Sequence, residues 1–579
     1  MICYKKELYI HNRQHDAEGR TKMKISFLGA TKIVTGSNFL IETKNTKFLI
    51  DCGMFQGNKS INRMNYEPFG FDPKKIDFMV LSHAHIDHSG RIPKLVKEGF
   101  NGDIYCTKAT ADLCSIMLPD SGHIQEMENE WDNRKRKRSG EKLREPLYTV
   151  KEAEESLRYF RPVLYDQKIE VNEEIVLRFR DAGHILGSSI IELWIKEDNK
   201  KAKLVFSGDL GRKDRPILRD PSLIEETDYL IIESTYGNRL HPPSKDDAKK
   251  LISIINTTAR RGGNVVIPSF AVERAQDIIY ELNKYYTEYI KNEDQGFLKV
   301  PVYIDSPLTV SATEIFLRNP DCFDEESLKL IKIGNNPLDF PNLKFTKTTE
   351  ESKQLNIIKE SKVIISASGM CTAGRIKHHL KHNLWRRESS IVFVGYQAEG
   401  TLGRRIKEGE KVVKIFGEEI RVNAEIYSLE GFSGHADRDG LMWWMRSFKN
   451  KPKKIFIVHG EEQSTKEISK RIEEELKIKT HIPELGESLF IEGENVLPGR
   501  KLEINRRSKE YIKIEENTEK LKSIFWPTLQ KLRHIIDNGA NSEELIKIEN
   551  KLIELQKNIL DLNMMLAEVI NKEKDQEES

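Results

Sequence analysis

The chain has 579 residues, of which 38% are hydrophobic, so it is long enough for several domains and too apolar to be largely disordered. Its 93 Lys and Arg nearly balance 91 Asp and Glu, and the net charge of +2 means that any nucleic acid would need a local positive patch. Six Cys without a C-x-x-C pair exclude a thiolate zinc site and a disulfide framework, and no apolar run is long enough for a membrane span.

Residues 1–22 lack the apolar segment of a signal peptide and are predicted to be a loose extension of a cytoplasmic protein. Short apolar strands separated by glycine and polar turns follow. They are predicted at residues 23–28, 38–42, 47–51, 77–83, 174–181, 189–195, 203–209 and 229–233. A charged, mostly helical segment at about 108–160 interrupts this strand-rich region, and polar residues gather where the strands end.

Nearly continuous apolar runs come next, at residues 264–271, 300–305, 362–368 and 391–396, and helical stretches alternate with them. This alternation predicts a parallel α/β sheet covered on both faces. The strand-rich pattern returns at about 425–500, so we expect a second domain inserted within the first.

The C-terminal segment carries a heptad pattern. Its apolar positions are separated alternately by three and four residues: Leu545, Ile548, Leu552, Leu555, Ile559, Leu562, Leu566 and Val569. Such a pattern predicts a coiled coil, preceded by a helix at about 508–536 that ends at the turn Asp537-Asn538-Gly539. Two interpretations stay open: self-association as a homo-oligomer, expected to be a dimer, and an intramolecular helical hairpin.

The stretch His83-Ala84-His85-Ile86-Asp87-His88 is the most informative part of the sequence. It follows a predicted buried strand, and its imidazole and carboxylate groups are ligand types of Zn²⁺ and similar metals. Further candidates at strand ends are His184, Asp209 and His459. Each is a weak signal alone, since a strand-end histidine is more often a polar cap. Together they indicate a metal site with room for two adjacent ions.

The order of these residues, with Asp51 before them, resembles the metallo-β-lactamase fold. Three later motifs are similar to those of the β-CASP nucleases: Glu233-Ser234-Thr235-Tyr236-Gly237, Phe432-Ser433-Gly434-His435-Ala436-Asp437 and Val458-His459-Gly460-Glu461. The resemblance covers about 23–499. It is closest to the RNA-processing branch, which includes the mRNA 3′-end endonuclease subunit, because His459 stands where the DNA-repair branch usually has Val.

The resemblance implies an α/β fold. A metallo-β-lactamase αββα sandwich (23–236 and 425–500) would hold an inserted parallel-sheet β-CASP domain (237–424), followed by a C-terminal helical coiled-coil extension (501–579). It also implies two Zn²⁺ per chain. The expected ligands are His83, His85 and His184 for one ion, Asp87, His88 and His459 for the other, and Asp209 as the bridge.

Asp51 is expected to orient ligand histidines by hydrogen bonds. The resemblance implies that a hydroxide between the two ions hydrolyses single-stranded RNA, leaving 5′-phosphate and 3′-hydroxyl products, with Asp87 catalytic as well as a ligand. His435 is the candidate general acid, because a carboxylate at Glu233 would raise its pKa and fix its ring.

Loops after strands of the inserted domain carry Gly, Ser and Arg residues suited to phosphates. With Ser433, the substrate-binding candidates are Ser269, Arg274, Ser368, Gly369, Arg375, Gln397, Thr401 and Arg404. The basic run at 134–138 is either a solvated face or an RNA-backbone contact beside the metal loop. His378, His379 and His382 lie on a predicted helix and are interpreted as structural or close to the substrate.

The principal hypothesis is therefore a dinuclear zinc ribonuclease, with endonucleolytic and 5′-exonucleolytic action both open. The alternatives are a hydrolase of the same fold acting on another phosphodiester or a thioester, a DNA nuclease, and a non-catalytic RNA-binding scaffold. The long insert and the Glu233/His435 pair argue against a small-ester hydrolase, and the complete ligand set argues against a scaffold.

Overall fold

The computed structural model describes residues 23–197, 200–241, 244–292, 300–397, 400–492, 495–499, 501–502, 509–539 and 541–577. The extension predicted for residues 1–22 lies outside these ranges. The chain divides into two compact units, Met1–Asn505 and Arg506–Ser579. Within the described ranges, no helix is long and apolar enough to cross a membrane.

The larger unit begins with a mixed sheet and the helices next to it. The strands are β1 (Met23–Phe27), β2 (Phe39–Glu42), β3 (Lys47–Ile50), β4 (Phe78–Val80), β5 (Asp103–Thr107) and β6 (Phe160–Val163). The helices are α1 (Lys59–Arg63), α2 (Ile86–Ser89), α3 (Ile92–Lys97), α4 (Lys108–Ser139) and α5 (Val150–Ser156). The first three strands pair antiparallel and β3 to β6 pair parallel.

Helix α4 is the longest helix of this region, and both of its ends are capped. The Thr107 hydroxyl accepts a hydrogen bond from the backbone N–H of Thr110 at the start, and Gly140, in the left-handed conformation (φ 74°), ends the helix.

A second, mostly antiparallel sheet follows. Its strands here are β7 (Lys168–Glu170), β8 (Ile175–Asp181), β9 (Ser189–Glu197), β10 (Lys200–Phe206) and β11 (Tyr229–Ile232). Strands β7 to β10 pair antiparallel in chain order, whereas β11 lies parallel to β10.

The inserted domain is built on a six-stranded sheet in which all recorded pairings are parallel. The strands, with a separate hairpin formed by β17 and β18, are β12 (Val265–Pro268), β13 (Val302–Ile304), β14 (Leu343–Phe345), β15 (Val363–Ser366), β16 (Ser390–Phe393), β17 (Val412–Ile415), β18 (Glu418–Arg421) and β19 (Glu425–Ser428). The helices are α6 (Ser244–Arg260), α7 (Arg274–Asn292), α8 (Pro307–Arg318), α9 (Glu325–Lys332), α10 (Thr349–Leu355), α11 (Ile376–Asn383) and α12 (Leu402–Lys407). The parallel α/β sheet predicted from the apolar runs is confirmed.

The chain then returns to both sheets of the first domain. The elements are α13 (Arg438–Met445), β20 (Lys454–Ile457), α14 (Glu462–Arg471), β21 (Thr480–His481), β22 (Ser488–Glu492) and β23 (Asn495–Pro498). The final strand orders are β23-β22-β1-β2-β3-β4-β5-β6 and β21-β20-β11-β10-β9-β8-β7.

The two sheets pack face to face through aromatic side chains. The rings of Phe27 and Phe456 lie 5.5 Å apart, and those of Phe39 and Phe206 lie 5.3 Å apart. This layered αββα arrangement with an inserted domain is the fold that the motifs predict. The sequence pattern predicts the return from the insert at residue 425, whereas Glu425–Ser428 pairs with β16 in the inserted sheet, so the inserted domain extends to at least Ser428.

The smaller unit contains α15 (Lys509–Asn538) and α16 (Ser542–Glu577), separated at the predicted turn, where Gly539 has φ 79°. Seam residues Leu545, Leu555, Ile559, Leu562 and Leu566 are 40–49% exposed. The helices are present, and pairing of the seam stays a prediction.

Candidate metal centre

The predicted ligands lie at one edge of the sandwich because each follows a strand that ends there. His83 and His85 come directly after β4, and Asp87 and His88 lie on α2. Three other strands supply the rest, with His184 in the loop after β8, Asp209 after β10 and His459 after β20.

The first group of ligand atoms comprises His83, His85, His184 and Asp209, all within 4.8 Å of one another. The Nδ1 atom of His85 lies 3.2 Å from Nε2 of His83 and 3.2 Å from Nε2 of His184. Asp209 Oδ2 is 3.6 Å from each of these Nε2 atoms. Four donor atoms therefore converge on one point.

The second group comprises Asp87, His88 and His459. The Nε2 atoms of His88 and His459 are 3.2 Å apart, and His459 Nε2 is 3.5 Å from Asp87 Oδ2. Asp209 Oδ2 is also 3.4 Å from His88 Nε2. The Asp209 carboxylate thus borders both groups, as a bridging ligand would.

Asp51 orients the rings from behind. Its carboxylate is 2.7 Å from His88 Nδ1 and accepts hydrogen bonds from the N–H and the hydroxyl of Ser82, both at 2.8 Å. The same hydroxyl is 3.0 Å from His83 Nδ1. Asp51 therefore holds one ring directly and a second one through Ser82.

The chemistry of this donor set fits divalent metal ions. Among the described residues, neither oxygen of the buried Asp209 carboxylate has a hydrogen-bond donor. Burial lowers the pKa of His85 to about 4, and burial likewise depresses the pKa of His83 and His184, so these rings are neutral and offer lone pairs. Burying such lone pairs together with a carboxylate that accepts no hydrogen bond costs free energy unless a cation binds between them.

His435 stands at the open side of the centre and is partly exposed. Its Nδ1 is 3.2 and 3.3 Å from the two Glu233 oxygens. Burial lowers the pKa of His435, but the Glu233 carboxylate raises it, and the net shift is upward. Glu233 is itself fixed by the backbone N–H of Leu210 at 2.6 Å.

Three family descriptions match this chain: the metallo-beta-lactamase superfamily at residues 33–269, the Beta-Casp domain at 275–406, and the Zn-dependent metallo-hydrolase RNA specificity domain at 419–483. The chain is 37% identical over 441 residues to Ribonuclease TTHA0252 of Thermus thermophilus, covering 76% of this chain and 94% of that protein. It is 32% identical over 471 residues to Transcription termination factor FttA of Methanocaldococcus jannaschii, covering 80% and 70%. The chain belongs to the β-CASP family.

This membership confirms the resemblance based on the motifs. As a β-CASP protein, the chain is a metal-dependent hydrolase that acts on RNA. The residue roles within it are taken up as proposals below.

The substrate-binding candidates of the β-CASP domain lie at the carboxyl ends of its strands. Ser269 follows β12, Ser368 and Gly369 follow β15, and the neighbouring Phe270 ring is 6.4 Å from the His85 ring. These loops therefore face the metal centre. Phe270 belongs to a loop with two substrate-binding candidates but was not itself a candidate, and its place in the sequence between Ser269 and Arg274 is the signal that could have indicated it.

Several other candidates are held in internal contacts. Arg274 is buried and bonded to Asp277 at 2.7 Å, and Arg375 donates to Asp305 at 2.7 Å. Gln397 donates to the Gly369 carbonyl oxygen at 3.0 Å.

The remaining candidates differ in exposure. Thr401 is buried and caps α12, where Arg404 pairs with Glu408, and Ser433 is buried beside His435. These positions are compatible with two roles: the residues could fix the conformation of the loops, or they could contact the substrate.

The other histidines stay outside the metal centre. His379 is buried, with its Nε2 2.5 Å from Asp305, and the His378 ring packs 4.4 Å from that of Phe416. Among the described residues, neither belongs to a group of potential metal ligands. The structural interpretation of this helix agrees with these contacts.

Arg215 joins the two domains at the site, and no motif marked it. It is buried, and its guanidinium donates to the carbonyl oxygens of His184 at 2.7 Å and Gly434 at 3.3 Å. It also donates to Asp277 of the β-CASP domain at 2.7 Å. One side chain thus fixes a ligand loop, the backbone before His435 and the start of α7.

Proposed function

We propose that this β-CASP protein is a ribonuclease that hydrolyses single-stranded RNA with two Zn²⁺ ions per chain. The observation that supports the proposal is the Asp209 carboxylate, which borders two groups of ligand atoms and has no hydrogen-bond donor among the described residues. His83, His85 and His184 would hold one ion and Asp87, His88 and His459 the other, with Asp209 between them. Zinc bound there supplies activation of water and neutralisation of phosphodiester charge.

The protein's own residues divide the remaining work. Asp51 keeps the His88 ring in place. The partly exposed Asp87 carboxylate lies beside His459 in the second group of ligand atoms. His435 presents Nδ1 to Glu233, which leaves Nε2 for the substrate. Because its pKa is raised, His435 carries a proton that Nε2 donates to the departing 3′ oxygen.

The test combines metal analysis with RNA cleavage. Zinc-loaded protein should contain about two zinc ions per chain and should cut end-labelled single-stranded RNA. His435→Ala should keep its zinc but slow the chemical step by roughly 10²–10⁴-fold, whereas His459→Ala should lose zinc. His382→Ala, which changes an exposed histidine on α11, is the control and should alter neither. Zinc loss in His435→Ala with full zinc in His459→Ala would reverse the two roles.

RNA substrates with 5′-triphosphate, 5′-monophosphate or 5′-hydroxyl ends separate the modes of action. Internal fragments from all three indicate an endonuclease, and mononucleotides from the monophosphate alone indicate a 5′ exonuclease. Preference for DNA or for small phosphodiesters or thioesters over RNA would contradict the proposal.

We also propose that α16 makes the protein a homodimer in the cytoplasm. Its seam of Leu and Ile side chains is partly exposed, and a narrow apolar seam is typical of helices that pair with a second helix. Leu555→Asp with Leu562→Asp should lower the molar mass measured by light scattering. The control is Leu560→Asp with Met564→Asp, which changes exposed apolar residues outside the seam and should leave the mass unchanged.

A further inference from the structure

The last turns of α4 present an unusual exposed face. Met127, Trp131, Arg134, Lys135 and Arg138 recur at three- and four-residue spacings, which places them on one side of the helix. Met127 is 58% exposed and Trp131 is 61% exposed. The Lys135 ammonium lies 3.2 Å from the centroid of the Trp131 ring. We call these five residues the α4 face.

The cations of this face are only partly neutralised. Arg134 is 3.5 Å from Glu130, whereas neither Lys135 nor Arg138 has an acidic partner within 4 Å among the described residues. Arg136, on the opposite side of the helix, pairs with Asp132 at 2.8 Å. Basic residues at a helix carboxyl end stabilise the helix dipole, but that effect does not account for two large apolar side chains left in water.

The α4 face lies at a distance from the metal centre that single-stranded RNA can span. Helix α4 packs against α2, and the buried Cys114, in the first third of α4, lies close to Ser89, the residue after His88. Trp131 is 17 residues further along, which is about 25 Å of helix. At about 3.4 Å per stacked nucleotide, this length corresponds to about seven nucleotides. The basic run is therefore not beside the metal loop, where the sequence analysis had placed its possible contact.

The β-CASP domain supplies a second pair of a cation and an aromatic ring, between the start of α11 and the turn of the β17–β18 hairpin. The Lys377 ammonium lies 4.8 Å from the centroid of Phe416, a ring that is 51% exposed. Helix α11 directly follows the candidate substrate loop that contains Ser368 and Arg375.

We propose that the α4 face is an RNA-binding surface outside the metal centre, where a base stacks on Trp131 and phosphates pair with Lys135 and Arg138. This inference rests on the proposed ribonuclease function. Each nucleotide of a single strand carries a flat aromatic base and a negative charge, which match the exposed Trp131 ring and the cations beside it. Exposed aromatic residues next to cations are the usual elements of single-strand binding. An RNA that is too short to reach α4 gains no binding affinity from the α4 face.

The experiment compares RNAs of 5 and 30 nucleotides in one cleavage assay. For Trp131→Ala, KM for the 30-mer should rise about 5- to 150-fold, the range for one lost base stack, while kcat for the 30-mer and all constants for the 5-mer stay unchanged. Trp131→Phe should restore most of the affinity. Trp385→Ala is the matched control, since Trp385 is 56% exposed on the β-CASP domain, and it should leave both RNAs unaffected.

Salt dependence supplies a second readout. Lys135→Ala should weaken binding of a fluorescent 30-mer, measured by anisotropy, and should reduce the slope of log affinity against log salt by about one. An unchanged KM and an unchanged anisotropy isotherm in Trp131→Ala would overturn the inference, as would equal losses for the 5-mer and the 30-mer. If the wild type cuts neither RNA, the proposed function fails, and the anisotropy measurement still decides whether the α4 face binds RNA.

Discussion

Two buried aspartates, one in each domain of the larger unit, have opposite surroundings. Asp305 directly follows β13 of the β-CASP domain and accepts hydrogen bonds from Ser352 at 2.6 Å and Arg375 at 2.7 Å, with further donors at Thr346 and His379. Asp209 follows β10 of the sandwich and has no donor among the described residues.

The difference separates a structural carboxylate from one available to a ligand. The Asp305 carboxylate is bonded to four side chains from three segments, so it stabilises the fold and has little capacity left for a ligand. The neighbours of Asp209 are imidazole nitrogens at 3.4–3.6 Å, beyond ordinary hydrogen-bond distance, and the gap is one that cations can fill. A buried carboxylate is a candidate ligand when its donors are missing, and burial alone does not identify it.

The largest effect is expected at Asp209. Asp209→Asn should lower kcat/KM for RNA by more than about 10³-fold, because bound metal contributes several kcal/mol to phosphodiester hydrolysis. Zinc should raise the melting temperature of the wild type but not of the variant, since only the wild type binds it. Cleavage assays and calorimetry with and without zinc provide the measurement, and full activity in Asp209→Asn would refute the bridging role.

Asp305→Asn should have the second-largest effect, on stability rather than on metal binding. Removing the charge weakens the hydrogen bond from the partly buried Arg375 guanidinium, and a hydrogen bond to a charged group contributes roughly 1.5–3 kcal/mol. Urea denaturation should report this loss, while zinc content stays that of the wild type. An Asp305→Asn protein that is as stable as the wild type but depleted of zinc would contradict the comparison.

The acid side of the stability profile should depend on Asp305. Burial raises the pKa of this carboxyl, but hydrogen bonds from His379, Ser352 and Thr346 lower it, and the net pKa lies well below its ordinary value of 3.8. Its contribution is therefore complete above pH 3.8 and is lost as the pH falls through that value towards the folded pKa. The difference in unfolding free energy between wild type and Asp305→Asn should narrow below about pH 4. A constant difference from neutral to acid pH would exclude this linkage.

The smallest effect is expected from a single donor. Ser352→Ala removes one of the hydrogen bonds to Asp305 and should reduce the unfolding free energy by about 1 kcal/mol. Ser361→Ala, whose hydroxyl makes only a long 3.4 Å contact with the Ala259 carbonyl oxygen, should change it by less than about 0.5 kcal/mol. Similar losses in both variants, measured by urea denaturation, would indicate that Asp305 is not a special acceptor.

The sequence predicts the metal centre better than the Asp305 cluster for a physical reason. The histidine motif, His184, Asp209 and His459 follow apolar strands of the two packed sheets, and strand ends at one edge of the sandwich converge whatever connects them. The donors to Asp305 lie 41–74 residues away along the chain, in helices and loops whose contacts no periodicity reveals. Arg215 is hidden for the same reason, because its partners come from three separate segments. The partner of the α16 seam is not predicted either, because the heptad pattern gives the spacing of the apolar residues and not the helix that covers them.

The Arg215 contacts have a mechanical consequence. Separating the β-CASP domain from the sandwich at this point would break the buried ion pair between Arg215 and Asp277 and leave Asp277 with Arg274 alone, at a cost of roughly 1.5–3 kcal/mol for a charged hydrogen bond. Because the same guanidinium holds the backbone at His184 and Gly434, such a motion would also disturb a candidate metal ligand and the proposed proton donor, His435. We therefore expect the two domains to stay fixed relative to each other at this part of the cleft. RNA would then enter as an already unpaired strand, because the cleft does not open around a folded one.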